Sequence, residues 1–327
     1  MTVRFDGRAI PVAATEARWS APDGQPIRRI DWPGHADSTA KSSGDNHLRG
    51  SILFLPGRGD FYEKYLETLD HWHHQGWRVT ALDWRGQAGS GRFGQSPTTG
   101  HVDDFSTWIK DVSDFWAEWV AATPAPHVIV GHSMGGHLVL RALAEHRLAP
   151  DAGVLSAPML GFHAPGPIAL LHAVARLMCL VGNPERPAWG TSEKPGARDA
   201  GRPILLTHDE RRYADEAYWK QTRPWLAMGP GSWRWVERAY ASIRGLNRSG
   251  MLEGVCTPVL FLATRFDALV SWPAIERAAR RVPHGRLVTW GREARHELLR
   301  EVDAVRDRAI AAIDDFLDEA APAAHAE

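Results

Sequence analysis

Short apolar runs alternate with helix-length segments along most of this chain, and that alternation restricts the fold more than any other feature. The runs are SILFL at 51–55, WRVTALD at 77–83, HVIVG at 127–131, AGVLSAP from 151 onward, PVLFLAT at 258–264 and RLVTW at 286–290. A run apolar at every position suits a strand covered on both faces, whereas a half-exposed strand would alternate. Helical patterns fall between them, at 61–74, 103–121, 134–146, 273–281 and 302–317. Parallel neighbours need crossovers of that length. The expected fold is therefore α/β, a mostly parallel sheet flanked by helices. Residues 17–32 precede it and read as a hairpin around the turn Pro22-Asp23-Gly24, followed by a polar surface loop at 35–49.

The alternation fails between 159 and about 250, where helical patches, Pro/Gly breaks and Trp189, Trp219, Trp225, Trp233 and Trp235 occur. A length of 327 residues fits one large core carrying an insertion. We expect a first part of the core at 1–157, a helical cap insertion at 158–250 and a second part of the core at 251–327, with a frayed tail after Ala320. The charges nearly cancel, 38 basic against 39 acidic residues, and no basic block appears, which argues against nucleic acid as a partner. Cys179 and Cys256 are too few for a disulfide framework or a metal set. They fit a reducing compartment, and a single bridge stays open. The N-terminal stretch lacks a secretory pattern, and the apolar run at 167–181 carries His172 and Arg176 and is too short to span a bilayer. A cytoplasmic protein is expected, peripheral to a membrane at most.

Gly131-His132-Ser133-Met134-Gly135 matches G-x-S-x-G where a strand meets a helix. So sharp a turn strains the serine backbone, and side chains two positions away would collide, so glycine stands there. Ser133 is the candidate nucleophile. Its base and the orienting carboxylate must come from loops at the same carboxyl edge of the sheet. Asp267 follows PVLFLAT and His296 follows RLVTW, in the chain order of the nucleophile-elbow class. His284 precedes its strand, His132 and His137 are expected to point off the elbow, and Glu293 is a weaker orienter on the base's own loop. For the oxyanion hole we assign the backbone amides of Arg58, in the loop Leu55-Pro56-Gly57-Arg58-Gly59-Asp60, and of Met134.

GHSMGG, PGRGDFYEKY, DWRGQAGSGR followed by GHVDDF, and the Asp267/His296 pair together resemble the α/β-hydrolase family of monoacylglycerol lipases and bacterial lysophospholipases. The lysophospholipase L2 branch is the most similar, through RGQ-type glycine spacing and the segments LTHDERRY and GPGSWRWVERAY. The resemblance runs from about 51 to 316. Pro56-Gly57 stands where the lipases have His-Gly, and Ala88 replaces a glycine of the RGQG pattern. The resemblance implies a carboxylic ester hydrolase working through an acyl-enzyme, on lysophospholipids or monoacylglycerols, with no cofactor and no metal. Another acyl-transfer, amidase or perhydrolase reaction on the same triad, or a non-catalytic binding protein, are the alternatives.

Other signals have plainer readings. Gly89-Ser90-Gly91-Arg92-Phe93-Gly94 satisfies G-x-G-x-x-G but opens no helix, so a nucleotide site is not expected. His71, His73 and His74 read as a helix surface. Residues 167–181 read as a cap helix over the site, with a transient membrane-surface contact as the second role. The five tryptophans read as cap core, and Arg211, Arg212 and Arg234 as solvated arginines. Oligomeric state is left open.

Overall fold

The computed structural model describes residues 5–34, 48–164, 166–190 and 203–323. The loop expected at 35–49 and the end of the expected frayed tail lie largely outside the described residues.

The expected hairpin forms from β1 (Thr15–Ser20) and β2 (Pro26–Trp32), with Gly24 at φ +84° in its turn. The apolar runs become β3 (Gly50–Leu55), β4 (Trp77–Leu82), β5 (His127–His132), β6 (Ala152–Ser156), β7 (Val259–Thr264) and β8 (Gly285–Trp290). They join one sheet in the order β1-β2-β4-β3-β5-β6-β7-β8. β2 pairs antiparallel with both neighbours, and every pair from β4 to β8 is parallel.

Successive strand residues point to opposite faces, so one buried strand feeds two cores. Ile52 and Phe54 enter the cluster packed by α1 (Leu66–His74) and α9 (Asp303–Ala320). Leu53 and Leu55 enter the other, packed by α2 (Ser106–Ala122), α3 (Met134–Ala144) and α8 (Trp272–Arg281). Helix ends differ from the sequence pattern for local reasons. The pattern at 61–74 opens as a 3-10 turn, Tyr62–Tyr65. That at 103–121 starts later because the Asp104 side chain accepts the Ser106 amide at 2.8 Å. That at 134–146 stops where His146 turns to φ +54°.

Between β6 and β7 lie α4 (Ile168–Leu180), α5 (Pro203–Leu206), α6 (Glu210–Thr222) and α7 (Trp233–Leu246). Asp209 and Ser232 cap α6 and α7 by accepting the amides of Arg212 and Trp235. α6 is fastened to the core by Arg212, which grips Glu67 through two nitrogens at 2.7 and 2.8 Å and also meets Asp209 and Asp303. Arg212 is buried, which corrects the solvated reading: a guanidinium with that many acceptors around it is worth withdrawing from water. Arg234 stays partly exposed.

α4 packs on α7 through His172, whose Nε2 lies 3.0 Å from Glu237 and whose Nδ1 accepts from Arg244 at 2.9 Å. Its outer side leaves Leu170, Val174, Leu177 and Leu180 exposed, Leu180 by 82%. None of its side chains is among the described residues that line the cavity at Ser133 and His296. No helix among the described residues is long and apolar enough to cross a membrane. Cys179 and Cys256 are both free thiols.

Candidate active site

Ser133 sits between β5 and α3 at φ 52°, ψ −115°, a conformation that costs a non-glycine residue about 1–3 kcal/mol. The surroundings hold it there. Its amide donates to Ser156 O at 2.9 Å, and its carbonyl accepts from Met159 N at 2.9 Å and His137 N at 3.0 Å. The glycines around it are sterically required. A Cβ on Gly135 would stand 2.4 Å from the carbonyl oxygens of Leu55 and Pro56, and one on Gly131 would stand 2.7 Å from Gly136 N.

The loops after β7 and β8 bring Asp267 and His296 to this edge. His296 Nε2 lies 3.0 Å from Ser133 Oγ, and its Nδ1 lies 2.7 Å from Asp267 Oδ2. Asp267 Oδ1 accepts the amides of Leu269 at 2.8 Å and Val270 at 2.9 Å, so its second oxygen is aimed by its own loop. Burial favours neutral imidazole, but the charge and hydrogen bond of Asp267 outweigh it, and the His296 pKa is raised above the ordinary 6.5. Asp267 also loses by burial, yet His296 and the two amides hold its pKa below the usual carboxylate value.

A base must be unprotonated to accept the serine proton. Activity should therefore fall as pH drops through the raised His296 pKa, with its midpoint above 6.5. Asp267→Asn removes the main upward influence, so the midpoint should move to lower pH while kcat falls by up to ~10⁴-fold as the tautomer is lost. A pH profile of kcat/KM on both proteins checks this, and an unmoved acid limb would sink it.

The loop after β3 is held peptide by peptide. Trp84 Nε1 donates to Pro56 O at 2.7 Å, the Gly57 amide donates to Asp60 Oδ2 at 3.2 Å, and the Gly59 amide donates to Gln87 Oε1 at 2.5 Å. Those bonds engage the amides on either side of Arg58. A Cβ on Gly57 would approach Ser133 Cβ at 3.1 Å, so this loop runs directly beside Ser133. Met134 opens α3, and first-turn amides have no partner within their own helix.

Beneath the site lies a buried charge cluster that sequence reading missed. Lys64 Nζ, with no side-chain exposure, meets Asp60 at 2.5 Å, Glu297 at 2.6 Å and Glu216 of α6 at 3.0 Å. Arg300 pairs with Glu297 and stands 3.3 Å from Glu216. Asp60 Oδ2 also accepts from Tyr65 Oη at 2.8 Å. Burial alone would raise both carboxyl groups, yet Lys64 holds Asp60, and Arg300 with Lys64 holds Glu297, below the usual carboxylate value. Asp60, His132 and Glu297 lie within metal-ligating reach of one another. The Lys64 ammonium already bonds both carboxylates, so the cation they call for is supplied by the chain.

His132 is a correction. Instead of pointing away, its ring packs 4.9 Å from that of His296, and its Nε2 lies 3.9 Å from Asp60. Burial and the neighbouring His296 push its pKa down to about 4, so it stays neutral. His137 does turn away, to Ser242 Oγ at 2.7 Å. Glu293 accepts the Gly291 amide, and His284 lies at the opposite edge, where its carbonyl accepts the first amide of β7.

A cavity of about 650 Å³ opens on Ser133 and His296. Its apolar wall includes Phe162, Trp189, Trp233, Trp235 and Tyr240. Three of the five tryptophans thus face this cavity, while Trp219 is buried in the core and Trp225 is exposed. A wider depression of about 1120 Å³ lies over Gly89, Gly91 and Arg92. Arg92 there stitches Ala88, Gly91, Pro97, Trp225 and Ala227 together through their carbonyls, and no helix follows the glycines.

A serine, a histidine and an aspartate at the carboxyl edge of a doubly covered, mostly parallel sheet define a serine hydrolase of the α/β-hydrolase fold. The chain belongs to the serine aminopeptidase, S33 family, which matches residues 46–303. It is 30% identical to lysophospholipase L2 of Escherichia coli strain K12, over 82% of this chain and 80% of that one. It is 30% identical to a monoacylglycerol lipase of Mycolicibacterium smegmatis over 41% of this chain and 46% of the relative. Among solved structures, monoglyceride lipase of Saccharomyces cerevisiae superposes with a TM-score of 0.73 at 19% identity, covering 96% of each chain.

Proposed function

We propose that Ser133 attacks the carbonyl of a carboxylic ester, His296 takes and returns the proton, and Asp267 fixes the imidazole tautomer. The chain hydrolyses esters through an acyl-enzyme that water releases with the same base. The amides of Arg58 and Met134 hold the oxyanion, each such donor being worth about 3 kcal/mol. The observation that carries the reading is the chain of contacts from Ser133 Oγ through both nitrogens of His296 to Asp267. Residues 158–250 form the cap. The substrate is a single-chain lipid ester, a lysophospholipid or a monoacylglycerol, supported by the aromatic cavity wall and by the names of the relatives.

A fluorophosphonate probe should label Ser133, and p-nitrophenyl esters should be cleaved faster as the acyl chain lengthens from acetate to octanoate. Failure to label removes the enzyme reading. A sharp preference for acetate removes the long-chain substrate and leaves the esterase.

The outer side of α4 is the part of the cap that meets a membrane surface, since Leu170, Val174, Leu177 and Leu180 stand in water otherwise. Leu177→Glu with Leu180→Glu should cut co-sedimentation with phosphatidylglycerol vesicles at least severalfold, each buried apolar side chain being worth about 1.5–3 kcal/mol. Equal sedimentation of both proteins would exclude α4 as the contact.

A further inference from the structure

The cavity over Ser133 is apolar along most of its wall, and Arg58 is the only lysine or arginine among the described residues that line it. The side chain is firmly placed. Its Nη2 donates to Gly229 O at 2.6 Å, and its Cζ lies 5.2 Å from the Trp189 ring centre and 5.0 Å from that of Trp235. Gly100 leaves the room it needs, because a Cβ there would come within 2.7 Å of Nη2.

Two roles then meet in one residue. The loop carrying Arg58 runs beside the nucleophile, with the neighbouring amides already engaged, while the guanidinium reaches along the cavity wall. The guanidinium and Ser133 line the same cavity, so the head group of an ester held at Ser133 shares that space with Arg58. Guanidinium is weakly hydrated, presents a planar fork and stacks on indoles, so a cation of this kind between aromatic walls favours a phosphate oxyanion over a neutral hydroxyl.

We propose that Arg58 binds the phosphodiester of a lysophospholipid head group and so sets a preference for lysophospholipids over monoacylglycerols. This deepens the reading of Ser133 as an esterase nucleophile and rests on it. The phosphodiester stays on the leaving alcohol, so Arg58 acts on substrate binding and takes no part in the proton transfers.

The test compares dodecanoyl-lysophosphatidylcholine with 1-dodecanoylglycerol, each in the same mixed detergent micelles, for the wild type, Arg58→Met and Arg58→Lys. The wild type should favour the phospholipid in kcat/KM. Arg58→Met should lower the ratio of the two substrates about tenfold or more, mainly through KM, as expected for loss of a charge-assisted hydrogen bond. Arg58→Lys should fall between. p-Nitrophenyl butyrate turnover reports in parallel on any damage to the loop itself.

An unchanged ratio in Arg58→Met overturns the proposal, as does an equal fall for both lipids. Weaker inhibition by dodecanoate with the ratio unchanged would place the fatty acid carboxylate on Arg58 instead, and also overturns it. If the wild type cleaves both lipids equally, only this proposal fails. If it cleaves p-nitrophenyl butyrate and neither lipid, the lipid reading fails as well.

Discussion

Ser133→Ala is expected to cut kcat on p-nitrophenyl butyrate by up to ~10⁶-fold, the scale seen when the nucleophile of such a triad is deleted. The side chain carries one interaction in the structure, the 3.0 Å contact with His296 Nε2, so little else depends on it. The melting temperature should therefore move by no more than a few degrees, because a single part-buried hydrogen bond contributes about 1 kcal/mol. Steady-state turnover and a thermal melt on the same preparation separate the two effects. Residual activity within tenfold of wild type, in a folded protein, would mean that another group performs the attack.

Lys64→Met should do the reverse, acting on stability first. It leaves Asp60, Glu297 and Glu216 facing one another, almost wholly buried, without the ammonium that lies between them. Removing one partner of a buried ion pair costs about 3–5 kcal/mol, a large fraction of what holds a domain together. Urea unfolding should show a midpoint lowered accordingly. Adding Glu297→Gln to Lys64→Met removes one of the three crowded carboxylates, leaves Arg300 to Glu216, and should recover part of the loss, a non-additive result that independent sites would not give. If the double variant is less stable than Lys64→Met by the full single-variant cost of Glu297→Gln, the cluster is not acting as a unit.

That cluster also links stability to the site. Asp60 holds the Gly57 amide of the loop beside Ser133, Glu297 follows His296 in the chain, and Glu216 belongs to α6. A single lysine therefore ties together two active-site loops and one helix of the segment between β6 and β7.

The degree to which this was legible varies by residue. The apolar runs announced β3 to β8 because a strand covered on both faces is apolar at most positions, a property of local sequence; β8, at the sheet edge, is only partly buried. Their carboxyl ends then located Ser133, Asp267 and His296, since every parallel strand of one sheet delivers its following loop to the same edge. The partner of the Gly59 amide was half visible: Gln87 stands in the quoted DWRGQAGSGR segment, but nothing in that string says which amide it would accept.

Lys64 and Glu297 were not legible, being 233 positions apart and unremarkable within their own segments. A buried lysine and a solvated one look alike in sequence, and only the packing around them shows which is which. The same ambiguity hid Arg212, whose acceptors come from three separate elements. His132 was misjudged because its direction depends on the strained turn at Ser133, and β alternation alone does not give it.

Sequence by itself determined the layered α/β architecture, the elbow and the order of the three site residues, because periodicity and steric demands on glycine act over a few neighbouring positions. Tertiary structure alone decided which charges are buried together, which tryptophans face the cavity and which side of α4 is left to solvent. Those outcomes depend on distances between residues remote in the chain, and such distances exist only once the sheet has assembled and the helices have closed over it.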